Sequence, residues 1–249
     1  MKHVSQAALI TNHAVRGIMT TIASNLQAVH IAISEVAANA GRRADEVKLL
    51  AVSKTFPPEA IREAFSAGQT SFAENYVQEA LGKFEALRDL PIEWHFIGPI
   101  QSNKTRAIAE NFAWVHSVDR LKVAQRLSEQ RPANLPPLQV CLQVNISGED
   151  SKSGVSPVEA EVLAGTIADL PNLMLRGLMA VPAPGSNPAE QRLPFAQLRQ
   201  LRDRLNRHDL KLDTLSMGMS HDFTAAIIEG ATIVRIGSAI FGNRNYQKS

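Results

Sequence analysis

Lys54 closes the run Leu49-Leu50-Ala51-Val52-Ser53-Lys54-Thr55, and Phe56-Pro57-Pro58 follows it. Four apolar residues in a row suit a strand buried on both faces. Two prolines cannot continue a ladder. The lysine therefore belongs at the end of a buried strand, where an apolar surround disfavours the ammonium and frees the amine for Schiff-base chemistry. The competing reading is a solvated lysine in a strand-to-helix loop. Two further stretches carry chemistry of a different kind. Ser216-Met217-Gly218-Met219-Ser220 and Arg235-Ile236-Gly237-Ser238 each place hydroxyls and a glycine at the end of an apolar segment. Glycine lets a backbone approach a phosphate closely, and free N–H groups at a helix start supply donors. Each loop alone reads more readily as an ordinary helix N-cap, Ser220 or Ser238. Two such loops together with a strand-end lysine point to an anion cradle beside a reactive amine.

Other constellations fail. Ser220, His221 and Asp222 are adjacent, so their side chains fan apart and cannot align as a triad. His95, His116 and His221 lack metal-ligand spacing, and no metal site is expected. There is no Walker-type loop and no dinucleotide fingerprint after the first strand.

The elements that must position these residues alternate. Apolar strand patterns fall at 47–52, 70–73, 92–97, 113–116, 138–144, 173–178, 214–216 and 232–236. Helical patterns follow at 57–67, 77–87, 104–110, 120–130, 158–169, 190–206, 222–229 and 238–241. Eight βα units without adjacent strands predict a single α/β domain, a (β/α)8 TIM barrel. An extra N-terminal amphipathic helix is predicted over 19–40, with Gly41 to end it. Residues 1–18 lack a period and are read as a loosely held extension, leaving 19–249 as the barrel domain. Residues 245–249 read as a solvated tail, and the polar loop Ser147–Gly154 as a candidate flap.

In such a barrel the residues just after each strand share one face. Strand one offers Lys54, strand two Glu74 and Asn75, strand three His95, Gly98 and Gln101, and strand four His116 and Ser117. Strand five offers Asn145 and Ser147, strand six Met179, strand seven Ser216 to Ser220, and strand eight Arg235, Gly237 and Ser238. The loops after strands seven and eight are the usual phosphate site of this fold.

Composition narrows the classes. The chain has 249 residues, 45% of them hydrophobic, and its 26 Lys plus Arg nearly balance 24 Asp plus Glu. That balance argues against a general nucleic-acid surface. Cys141, the one cysteine, lies in an apolar run and reads as core. The most apolar long stretch, 225–242, contains Glu229 and Arg235 and is no membrane span. No signal-peptide pattern is seen at the start. A cytoplasmic protein without membrane attachment is expected.

A strand-one lysine with phosphate loops after strands seven and eight resembles the pyridoxal phosphate homeostasis protein family. The matching stretches are Ala51-Val52-Ser53-Lys54-Thr55, Glu74-Asn75-Tyr76-Val77-Gln78-Glu79, Trp94-His95-Phe96-Ile97-Gly98, Gly177-Leu178-Met179 and the two loops above. The resemblance implies a barrel like the N-terminal domain of alanine racemase, standing alone. It implies pyridoxal 5'-phosphate as cofactor, held as a Schiff base on Lys54, with Arg235 facing the pyridine nitrogen. It implies that Ser216, Gly218, Gly237 and Ser238 hold the phosphate. The full candidate cofactor-binding set adds Asn75, His95, Met179, Met217 and Ser220. The implied role is to buffer and deliver the cofactor, with no robust catalysis, as a monomer whose partners are pyridoxal phosphate and the apoenzymes that use it. Three positions depart from the family pattern: Phe56 stands where many relatives carry a second lysine, Ala73 where glycine precedes Glu74, and Asn245 where aspartate is common.

Two other functions compete: a weak amino-acid racemase, and a cofactor-free Schiff-base aldolase. An enzyme that uses the pyridine ring as an electron sink places a carboxylate at the ring nitrogen. Arg235 is an obligate cation and cannot take that part. Racemisation needs a base on each face of the substrate carbon, and Lys54 supplies one.

Overall fold

A computed structural model describes residues 21–149 and 153–242. The expected loose extension at 1–18, the first residues of the predicted 19–40 helix and the expected tail at 245–249 lie outside these residues.

The chain opens with helix α1 (Ile22–Asn39), whose first turn is capped by the Thr21 hydroxyl on the Ser24 N–H. Leu26, Val29, Ile33 and Ala37 form its buried stripe. Gly41, at φ 70°, ends it as expected. Then strands and helices alternate. They are β1 (Lys48–Val52), α2 (Pro58–Ser66), β2 (Ser71–Glu74), α3 (Val77–Ala86), β3 (Glu93–Phe96) and α4 (Thr105–Asn111). Next come β4 (Trp114–Val118), α5 (Leu121–Gln130), β5 (Leu138–Gln143), α6 (Pro157–Ala168), β6 (Leu173–Met179) and α7 (Pro188–Asn206). The last are β7 (Thr214–Ser216), α8 (Phe223–Ile228), β8 (Ile233–Ile236) and the one-turn α9 (Ser238–Phe241). Three helices begin with proline near their first position, where its fixed φ costs nothing. The proline at the start of α7 explains why that helix begins two residues earlier than its apolar pattern.

The eight strands close in chain order into an all-parallel barrel, with β1 paired to both β2 and β8. Alternation sorts each strand into two faces. Leu49, Ala51, Phe72, Phe96 and Val115 join the continuous apolar core between sheet and helices. Leu50, Val52, Ala73 and Ile233 pack together inside the barrel, as do Trp114, Cys141 and Met179.

One expectation changes here. Glu74 shares the face of Phe72, so it points outward to α3 instead of into the mouth. The polar loop after β5 is tied down at both described ends. The Asn145 side-chain amide donates to the Glu149 carbonyl at 2.8 Å, and Gln143 donates to the Ser153 carbonyl at 3.1 Å. Among the described residues no helix is long and apolar enough to cross a membrane. Nor does any group of three His, Cys, Asp or Glu side chains there form a metal cage.

Candidate functional site

Lys54 follows β1 and, by alternation, continues the inward face of Leu50 and Val52. Its neighbours are clamped from the outside. The Ser53 hydroxyl donates to Glu74 Oε1 at 2.6 Å, and the Lys83 ammonium donates to the Ser53 carbonyl at 2.8 Å. Lys83 also reaches Glu74 at 2.7 Å and Glu79 at 2.5 Å. The Thr55 N–H donates to the same Glu79 oxygen at 2.6 Å. Thr55 sits at φ 70°, a left-handed conformation that is costly for a β-branched residue. Glu74 is fully buried, and desolvation raises its carboxyl pKa while Lys83 and the Ser53 hydroxyl pull it back.

The loops after β7 and β8 meet beside this lysine. Arg235 N–H donates to the Gly218 carbonyl at 2.9 Å, and the Ser238 hydroxyl reaches that of Ser220 at 3.4 Å. Gly218 has φ 93°, and a Cβ there would lie 2.6 Å from that of Ala226. A Cβ on Gly237 would lie 3.0 Å from the Val52 carbonyl, so β8 closes tightly onto the strand that carries Lys54. Phe56 stacks on Phe241 with ring centres 5.0 Å apart, joining the first loop to α9. Asn75, on the inward face of β2, has a buried side-chain oxygen without a hydrogen-bond partner among the described residues. Gly98 permits the contact beside it, since a Cβ there would meet the Asn75 carbonyl oxygen at 2.1 Å.

Inside the barrel, a column of hydrogen bonds runs from the opposite end toward this mouth. Lys48 pairs with Glu93, and Glu93 Oε1 faces His95 Nε2 at 2.7 Å. His95 Nδ1 faces His116 Nε2 at 2.9 Å, and His116 Nδ1 faces the Ser216 hydroxyl at 2.7 Å. Arg235 donates to that hydroxyl at 2.8 Å and to the Ala180 carbonyl at 3.0 Å. A carboxylate only accepts, so His95 donates from Nε2 and accepts at Nδ1. His116 must then donate from Nε2 and accept from Ser216, whose oxygen in turn accepts from Arg235. One orientation satisfies every link with both imidazoles neutral.

The electrostatics agree. Burial lowers His95 to about 4 and His116 well below its usual value. The His95 N–H holds Glu93 well below the usual carboxylate range. Burial brings Arg235 down to about 10, which leaves it cationic at neutral pH. Arg235 is 4% exposed and forms no ion pair among the described residues.

The expected set thus divides. Lys54, Asn75, Gly218, Ser220, Arg235, Gly237 and Ser238 collect around the C-terminal mouth. His95 and Met179 are buried deeper in the barrel, His95 stacked on Trp114 at 5.4 Å and Met179 beside Trp114 and Cys141. The Ser216 hydroxyl is engaged by His116 and Arg235 and so serves the arginine, against its expected place on a phosphate. Met217 turns its side chain outward into the core under the helices. Sequence reasoning passed over Glu93, Lys48, Glu79 and Lys83. It placed His116 at the end of strand four and gave it no role beyond a rejected metal site. Period-two parity from His95 would have found Glu93.

The donor set suits a phosphorylated aromatic aldehyde: an inward lysine, a buried guanidinium, an orphaned amide oxygen and two glycine-lined loops. The model of the alanine racemase N-terminal domain matches residues 24–245. A pyridoxal phosphate homeostasis protein from Pseudomonas aeruginosa is 64% identical over 228 residues, covering 92% of this chain and 98% of the relative. PipY of Synechococcus elongatus, solved without pyridoxal phosphate, aligns at TM-score 0.81 and 38% identity over 89% of this chain and all of that one. The same protein solved with pyridoxal phosphate bound aligns at TM-score 0.75 and 39% identity over 84% of this chain and all of that one. The chain belongs to the pyridoxal phosphate homeostasis protein family, which shares the barrel of the alanine racemase N-terminal domain.

Proposed function

We propose that this chain binds pyridoxal 5'-phosphate at the C-terminal mouth of its barrel and buffers and delivers it to apoenzymes. One observation carries the reading: a lysine just after β1, on the inward face by alternation, shares the barrel with a buried arginine on the adjoining β8 that has no ion-pair partner among the described residues. The names of its relatives and the cofactor bound to PipY support the same ligand. When bound, the cofactor would supply an aldehyde, and Lys54 would hold it through its side-chain amine. Arg235 would face the pyridine nitrogen as a donor and, as a fixed cation, would disfavour its protonation. Gly218, Ser220, Gly237 and Ser238 would hold the phosphate with backbone and hydroxyl donors. Asn75, whose side-chain oxygen has no partner among the described residues, would offer it to the ring substituents.

Arg235 also argues against most transaminase and decarboxylase chemistry, because a cation at the ring nitrogen weakens the electron sink, and it leaves racemisation to be decided by the second base. Among the described residues the tyrosine that could act as a second base for racemisation, Tyr76, is 57% exposed at the start of α3. The test is a titration of the apo chain with pyridoxal phosphate. A visible band that disappears on borohydride reduction is expected, with alanine racemisation far below about 1–1000 turnovers per second. Turnover in that range would overturn the carrier reading.

A further inference from the structure

The residues on either side of Lys54 are gripped by a cluster that never enters the barrel. Glu74, Glu79 and Lys83 lie between the sheet and α3, and every group of the cluster points at the lysine's flanks. Lys83 and Glu74 hold Ser53 by its carbonyl and its hydroxyl. Glu79 holds the Thr55 N–H at 2.6 Å, and Thr55 is the one residue of this turn at positive φ. The φ of 70° disfavours threonine unless something over-determines it. Reversal of the chain directly after Lys54 lets Phe56 turn away and stack on Phe241, while Lys54 stays on the inward face. Release of the Thr55 N–H would let this residue relax toward extended backbone, and the Lys54 amine would lose its fixed starting point.

We propose that Glu79, supported by Lys83, is a positioning residue that sets the backbone of Lys54 for attack on the cofactor aldehyde. The inference rests on the reading of Lys54 as the lysine that takes the cofactor. Glu79 is the residue to change, because Glu74 and Lys83 remain paired without it at 2.7 Å. The exposed Thr55 N–H can then bond to water. Three measurements separate positioning from mere support. The first is the rate of borohydride-trapped adduct formation with pyridoxal phosphate, mapped by peptide mass. The second is affinity for pyridoxine 5'-phosphate, which fills the pocket but has no aldehyde. The third is the melting midpoint of the apo chain.

For Glu79→Ala, adduct formation slows about ten-fold, the scale of one unsupported left-handed residue. Pyridoxine phosphate affinity stays within about two-fold, since the variant touches no pocket donor. Adding Thr55→Asn to Glu79→Ala restores most of the rate, because asparagine tolerates positive φ. Unchanged adduct formation in Glu79→Ala, with the wild-type adduct on Lys54, overturns the positioning role and leaves the carrier reading standing. So does a parallel fall in pyridoxine phosphate affinity and melting that Thr55→Asn fails to rescue. A wild-type adduct on another lysine overturns the carrier assignment itself.

Discussion

Two buried polar clusters flank the Lys54 mouth, and they solve the same problem in opposite ways. Inside the barrel, the column from Lys48 to Arg235 places its charges at the ends and spans the middle with two neutral imidazoles and a hydroxyl. Outside, Glu74, Glu79 and Lys83 gather three ionisable groups within direct contact. Burying polar groups is tolerable only when each finds a partner, and burying charge only when charge answers it. The inner column meets that condition by donor order, so it holds Arg235 without needing a carboxylate beside it. The outer cluster answers charge with charge, although Glu74 Oε2 has no hydrogen-bond partner among the described residues, and it fixes backbone on both sides of Lys54. One cluster thereby orients the group assigned to the ring nitrogen, and the other the group assigned to the aldehyde.

The outer cluster should be the more fragile to a single change. Lys83→Met strands two carboxylates, one of them fully buried, and should destabilise the chain by about 3–5 kcal/mol in urea unfolding. A cost under about 1 kcal/mol would mean that Glu74 simply takes a proton when Lys83 is gone. The inner column should show itself through acid. His95 has a folded pKa of about 4 against the usual 6.5, so the unfolded chain binds the extra proton between those values. Its contribution is complete above pH 6.5 and is lost as the pH falls toward 4, about 3 kcal/mol for His95 alone, with His116 acting in the same direction. Glu74 works in the opposite sense, because its raised pKa favours folding as carboxyls protonate. Chemical denaturation from pH 7 to pH 4 should therefore give a falling stability that flattens in His95→Gln.

Arg235→Gln keeps a donor but removes the fixed charge. The apo chain should stay folded and should lose about ten- to a hundred-fold in pyridoxal phosphate affinity, the worth of one charge-assisted hydrogen bond. A lower melting midpoint with unchanged affinity would make Arg235 a structural partner of Ser216 and Ala180 only. Ser238→Ala removes one hydroxyl from a loop that also offers backbone donors. A loss of a few-fold in affinity, about 1 kcal/mol, is expected by the same titration.

The barrel itself was legible because each strand and helix has its own period, and the observed bounds depart by only a few residues. Lys54 and the two glycine loops were legible as strand-end chemistry. Strand parity, applied residue by residue, would have turned Glu74 outward and Ser216 inward from the sequence alone. The outer clamp was harder to read. Glu79 and Lys83 are four apart on α3 and look like an ordinary solvent pair. Only the closure of β1 against β2 brings Ser53 and Thr55 beneath them and turns a surface pattern into a buried cluster. The inner column depends likewise on β1, β3, β4, β7 and β8 sharing one interior, a relation between residues up to 187 apart, from Lys48 to Arg235, that no local window contains.

The central claim is that Lys54 carries the cofactor. The direct measurement is borohydride reduction of the chain loaded with pyridoxal phosphate, followed by proteolysis and mass mapping of the modified lysine. The account predicts one stoichiometric adduct on the peptide that contains Lys54, absent from Lys54→Ala. A principal adduct on Lys83, Lys48 or any other lysine would contradict it.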